Sequence, residues 1–125
     1  MKIMLADDEA YALKDLKEAV KKAAPDAEIY SYSNITEALN DIDEKGYLFD
    51  VAFLDVSMPE MNGIQFARKL QERKPNVNII FVTAYDQFAI DALKIHASGY
   101  LLKPVKDEEV KAELGRLRHP VLSME

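Results

Sequence analysis

Short apolar runs alternate with longer stretches of helical spacing along the whole chain. The runs lie at Lys2 to Ala6, Glu28 to Tyr32, Asp50 to Leu54, Asn78 to Val82 and Gly99 to Leu102. Each has the length of a strand and reads as one buried on both faces, as in a parallel sheet. Between the runs, apolar side chains recur at three- and four-residue steps: Leu13, Leu16, Val20 and Ala23; Ile35, Leu39 and Ile42; Ile64, Ala67 and Leu70. After the last two runs the same spacing carries Ile90, Leu93 and Ala97, then Val110, Leu114 and Leu117. These stripes predict five amphipathic helices. Asn34 before Glu37 and Asn62 before Gln65 have the spacing of capping boxes, and Pro25 and Pro75 close the first and third helices.

Strict alternation of strand and helix implies right-handed crossovers, hence an α/β domain with a five-stranded parallel sheet and helices on both faces. With strand order 2-1-3-4-5 the arrangement is flavodoxin-like, and its binding crevice lies beyond the carboxyl ends of the first and third strands. A chain of 125 residues has room for one such domain, expected over residues 1–118. Residues 119–125 contain Pro120 and read as a C-terminal tail or the start of a linker.

Polar residues end four of the runs: Asp7-Asp8, Asp55, Thr83 and Lys103. In a parallel sheet all of them crowd the same carboxyl edge. Three carboxylates, a hydroxyl and an ammonium suit a divalent cation and a phosphoryl group. Magnesium takes oxygen ligands and only one or two direct carboxylates, so Asp8 and Asp55 are the expected ligands, with Asp7 acting through water. Two carboxylates about 5 Å apart repel by roughly 3 kcal/mol at an effective dielectric near 20, so the trio needs a cation or a proton. Each residue also has a plainer reading: Asp8 as a helix cap, Thr83 as a strand residue bonding its own backbone, Lys103 as a solvated strand end.

Composition narrows the partners. The formal charge of -6 and the lack of a basic stripe argue against direct nucleic-acid binding by this segment. With 49% apolar and 30% charged residues the chain is an ordinary globular one, and it has no cysteine for disulfides or sulfur-bound zinc. Met1-Lys2 leads into a short run ended by acids, neither a secretory signal nor a membrane span, so the expected location is cytoplasmic. His96 and His119 have no metal-ligand spacing with each other.

Taken in order, Asp7-Asp8, the run Leu54-Asp55-Val56-Ser57-Met58-Pro59 with Gly63 after it, Thr83-Ala84, and Tyr100-Leu101-Leu102-Lys103-Pro104 resemble the receiver domain of two-component response regulators. The resemblance covers nearly the whole chain. It implies that Asp55 accepts a phosphoryl group from a sensor histidine kinase, while Asp7, Asp8, Asp55 and the Ser57 backbone carbonyl hold Mg2+. Lys103 would pair with the phosphoryl group and Thr83 would bond it, with Thr83 and Tyr100 forming a switch. Ser57 and Tyr85 would modulate water access to the pocket. It also implies a cis peptide before Pro104, output through the face of the fourth helix, fifth strand and fifth helix, and homodimerisation there. The stretch from Thr83 to Leu93 with Ser98 to Val105 is most similar to receivers attached to LytTR-type DNA-binding domains, which would make the chain part of a transcriptional regulator acting on DNA through an absent effector domain.

Other readings use the same residues. A stand-alone phosphorelay or adaptor receiver needs no effector. A small phosphohydrolase would form an aspartyl-phosphate on Asp55 and turn over an external substrate, but Ser57 stands where an acid general base is expected. A flavin domain of this fold needs a phosphate-cradling loop after the first strand, where two acids would repel the phosphate. The resulting expectation is a phosphoacceptor and not an enzyme, apart from self-phosphorylation and autodephosphorylation.

Overall fold

The computed structural model describes residues 1–121. Its elements are β1 (Lys2–Ala6), α1 (Ala10–Ala23), β2 (Glu28–Tyr32), α2 (Ile35–Lys45), β3 (Val51–Leu54), α3 (Gly63–Arg73), β4 (Asn78–Thr83), α4 (Ala89–Lys94), β5 (Gly99–Leu102) and α5 (Asp107–Leu114). All strands pair in parallel, as the alternating pattern implies, and their order is the expected flavodoxin-like β2-β1-β3-β4-β5. The chain steps outward from β1 to β2 and then crosses back over β1 to β3, so the tips of β1 and β3 stand side by side. Tail residues 122–125 lie outside the described part.

Two apolar layers sandwich the sheet. Met4, Ala6, Ala52, Leu54, Ile79 and Phe81 face α2, α3 and α4, while Ile3, Leu5, Val51, Phe53, Ile80 and Val82 face α1 and α5. Both faces of β1, β3 and β4 are buried, as the unbroken apolar runs foretold. The edge strands differ. Glu28 and Ser31 of β2 and Leu102 of β5 reach solvent, because an edge strand is covered less completely.

Asn34 and Asn62 cap their helices, accepting the N–H of Glu37 at 2.8 Å and of Gln65 at 2.9 Å. Asn62 and Gln65 form the reciprocal box, whereas Glu37 meets the Asn34 side-chain amide instead of its backbone. Gly46 ends α2 at φ 68°, a left-handed turn that glycine adopts without strain.

The fourth helix departs from the expected pattern. It spans only Ala89–Lys94, and Ile90 and Leu93 are 66% and 72% exposed. Ala92 and Ile95 are buried instead, with Phe88 half-buried beside them. Residues 88, 92 and 95 also have helical spacing, so α4 carries two apolar stripes and the sheet covers only one. In α5, Val110 is buried but Leu117 lies beyond the helix end.

The amino edge of the sheet is fastened by side chains. Asp50 accepts the Lys2 N–H at 2.8 Å and the Lys74 ammonium at 2.7 Å. The Asn78 side-chain amide donates to the Asp50 and His119 carbonyls at 3.0 and 2.7 Å and accepts the His119 N–H at 2.7 Å. It thus pairs with the chain after α5 as a strand would.

Burial alone raises the Asp50 pKa, but the Lys74 and Lys2 hydrogen bonds and the charge of Lys74 outweigh it and hold the carboxyl below its usual value. A depressed acid stabilises the fold above its unfolded pKa, near 4, and loses that contribution as pH falls through the folded value. Asp50→Asn is therefore expected to cost about 1–3 kcal/mol at pH 7 and much less near pH 3. Denaturant unfolding of both proteins at the two pH values checks this, and an equal deficit at both would contradict it.

Candidate functional site

The strand tips bring the acids together as the run endings suggested. Asp7 follows β1, Asp55 follows β3, and each of Asp7, Asp8 and Asp55 offers a carboxylate oxygen within 4.8 Å of the other two. Asp7 and Asp55 are 2% and 5% exposed, whereas Asp8 faces solvent. The β1–β3 register runs straight into the site, since the Asp55 N–H donates to the Ala6 carbonyl at 3.0 Å. Asp8 does not cap α1. The cap position belongs to Glu9, and its N–H is taken by Asp7 Oδ1 at 2.9 Å.

Gly63 sets the height of Asp55. Its N–H donates to the Val56 carbonyl at 2.8 Å, and a Cβ there would lie 2.2 Å from the Asp55 backbone oxygen. Only glycine allows α3 to start this close to the loop. In that loop Ser57 is exposed and its N–H donates to Asp55 Oδ1 at 3.1 Å.

Lys103 closes the site from β5. Its backbone N–H donates to the Thr83 carbonyl at 2.8 Å, and its peptide bond to Pro104 is cis. The ammonium contacts Asp7 Oδ2 at 2.7 Å, Asp55 Oδ2 at 2.9 Å and Glu9 Oε1 at 3.0 Å. Burial favours the neutral amine, but hydrogen bonds to these three carboxylates prevail, so the Lys103 pKa is raised and the charge is kept. For Asp7 the balance is reversed. Burial outweighs its bonds to Lys103 and the Glu9 N–H, and the charge of Asp55 adds to it, so the carboxyl titrates above its usual value.

Thr83 is fully buried at the end of β4, and its hydroxyl accepts the Tyr85 N–H at 3.4 Å. Tyr100 stands apart from the acids. Its ring packs 6.1 Å from Phe81, and its hydroxyl donates to the Tyr85 carbonyl. The Tyr85 ring is half-exposed and edge-on to Phe88. Ser57 and Tyr85 line one cleft of about 270 Å³ with Val56, Met58, Asn62, Gln87 and Phe88. The structure thus gathers Asp7, Asp8, Asp55 and Lys103 tightly, links Thr83 to them through the Lys103 backbone, and puts Tyr85 and Tyr100 in mutual contact at the rim.

Glu9 was not anticipated. The available signal was a glutamate at a helix start, where it is a poor cap, directly after the acidic pair. The donor set otherwise fits a hard cation, because three carboxylates converge and the Lys103 ammonium offsets only part of their charge. Among the described residues no other cluster of this kind occurs, and no helix is long and apolar enough to cross a membrane.

Known proteins share both sequence and fold. The transcriptional regulatory protein LytR of Staphylococcus aureus is 33% identical over 118 residues, covering 94% of this chain and 47% of its own length. The chain spans about half the length of the curated relatives it matches. The response regulatory domain of mrkE from Klebsiella pneumoniae superposes with a TM-score of 0.83 at 25% identity, covering 94% of each chain. The response regulator TrrA of Thermotoga maritima, solved in complex with Mg(2+)-BeF, gives a TM-score of 0.77 at 28% identity, covering 91% of this chain and 96% of its own. The sequence profile of the response regulator receiver domain matches residues 3–115, and with the acidic site at its carboxyl edge this chain belongs to that family.

Proposed function

We propose that this chain is the phosphoacceptor of a two-component response regulator, and that Asp55 takes a phosphoryl group from a histidine of a sensor kinase. The observation that carries this reading is the Lys103 ammonium bridging Asp7 and Asp55 inside an acidic cluster. In the transfer, an Asp55 carboxylate oxygen forms the new bond to phosphorus as the bond from phosphorus to the donor nitrogen breaks. The electron pair leaves with that nitrogen, and Lys103 donates an N–H to a phosphoryl oxygen. Asp7, Asp8, Asp55 and the Ser57 carbonyl would hold Mg2+, which supplies neutralisation of phosphoryl charge. Thr83 then donates its hydroxyl to the phosphoryl group, giving up the contact with the Tyr85 N–H.

The readout follows the same hydrogen bonds. A displaced Thr83–Tyr85 segment changes the carbonyl that holds Tyr100, and with it the surface of α4, β5 and α5. Ile90, Leu93 and Leu102 already expose apolar area there, which suits a second phosphorylated copy. Ser57 and Tyr85 flank the cleft through which water would reach the acyl phosphate and so set its lifetime. The names of the LytR relatives and the half-length match support a transcriptional role through a DNA-binding domain outside residues 1–118 in the cytoplasm, with residues from 119 onward as the linker.

Incubation with acetyl phosphate and magnesium is expected to add one phosphoryl group per chain by mass spectrometry. Asp55→Ala should abolish this without changing the circular dichroism, whereas many turnovers of product would favour a phosphohydrolase. In metal-free buffer at neutral pH, Asp7→Asn should raise the melting temperature by about 5 °C, because it removes one buried repelling charge, and magnesium should raise that of the parent protein. No shift in either case would speak against a strained acidic pocket. Phosphorylation should promote dimers in sedimentation experiments, and Leu93→Glu should leave labelling intact while keeping the protein monomeric.

A further inference from the structure

Glu9 occupies the cap position of α1, with extended backbone, yet its side chain accepts no N–H from the helix. Glutamate is a poor cap compared with serine, threonine or aspartate, so the helix start gains little from it. Local structure is sacrificed here for something else, and such sites are where function is sought. The carboxylate turns to Lys103 Nζ, 3.0 Å away.

A lysine ammonium has three N–H groups, and Lys103 meets three carboxylates. The three acceptors are unequal. The Asp7 and Asp55 side chains are 2% and 6% exposed, but that of Glu9 is 67% exposed. Glu9 can swing into water with its solvation intact, whereas an unpaired Asp7 would remain buried. Glu9 is thus the contact that breaks most easily when another anion claims the ammonium.

Building on the assignment of Asp55 as phosphoacceptor, we infer that Glu9 is a displaceable positioning residue that holds Lys103 until a phosphoryl oxygen replaces it, and so disfavours free anionic phosphodonors. A small dianion meets the Glu9 charge on approach and must displace it with its own contacts alone. A protein donor brings interface contacts from elsewhere to the same displacement. Glu9 therefore biases the site toward donors that dock.

Glu9→Ala and Glu9→Ser test this, since neither side chain reaches Lys103 while serine restores a cap. Both are expected to label with acetyl phosphate about threefold or more faster than the parent at low ionic strength, with the gain shrinking in salt. Phosphoramidate, a less negative donor, should show a smaller gain. In the metal-free parent protein the Lys103 ammonium protons should be protected in proton–nitrogen NMR spectra, and should exchange faster in both variants. A role confined to the helix start predicts instead a more stable serine variant that labels at the parent rate. Labelling equal to or slower than the parent, or unchanged ammonium protection, overturns the inference. If the parent protein is not labelled at all, the phosphoacceptor assignment falls, and the ammonium signal still decides whether Glu9 holds Lys103.

Discussion

Among the described residues, the Lys103 ammonium is the one cation paired within the group of four carboxylates at the carboxyl edge of the sheet. Everything about the site follows from that imbalance. One positive charge neutralises one acid, so the remaining acids repel each other across a few ångströms in a partly dry pocket. The fold tolerates this because Lys103 is delivered by backbone geometry: its N–H is bonded to the Thr83 carbonyl, and that bond continues the β4–β5 ladder. A lysine anchored only by its side chain would be free to leave. Here it stays, and the acid surplus becomes an affinity for added positive charge.

The opposite edge of the sheet shows the complementary arrangement. Asp50 is matched to Lys74 and to a backbone N–H, and Asn78 ties β3, β4 and the chain after α5 together. The parallel sheet separates these duties by construction, since every strand begins at one edge and ends at the other. Balanced contacts at the amino edge allow the carboxyl edge to carry unbalanced ones. Such a division between a stable frame and a strained site is the usual relation of stability to function.

The strand runs were legible because central parallel strands need apolar residues on both faces, and the residues that end them were legible because they interrupt the pattern. Asp7, Asp8, Asp55, Thr83 and Lys103 all stood out in that way. The exposed face of α4 did not. Ile90 and Leu93 share helical spacing with Ala97, but so do Phe88, Ala92 and Ile95, and only packing decides which stripe the sheet covers. Glu9 was hidden for a different reason. Its partner lies 94 residues away, and no local pattern ties a helix start to the end of the last strand. The Asn78 clamp on His119 was equally invisible, being a long-range pairing made by a side chain.

Thr83 is where the two halves of the site meet. Its carbonyl holds the Lys103 backbone, and its hydroxyl holds the Tyr85 N–H. The Tyr85 carbonyl in turn accepts the Tyr100 hydroxyl. On the proposed reading, a phosphoryl group on Asp55 reaches this chain of contacts at only one atom, the Thr83 oxygen. The Tyr85 contact it competes with is long, at 3.4 Å, and a long contact to a neutral donor yields readily to a charge-assisted one. The buried Lys103 contacts to Asp7 and Asp55, at 2.7 and 2.9 Å, do not. The same event can therefore leave the charge side of the site in place while it loosens the side that faces α4, which is the asymmetry a switch requires.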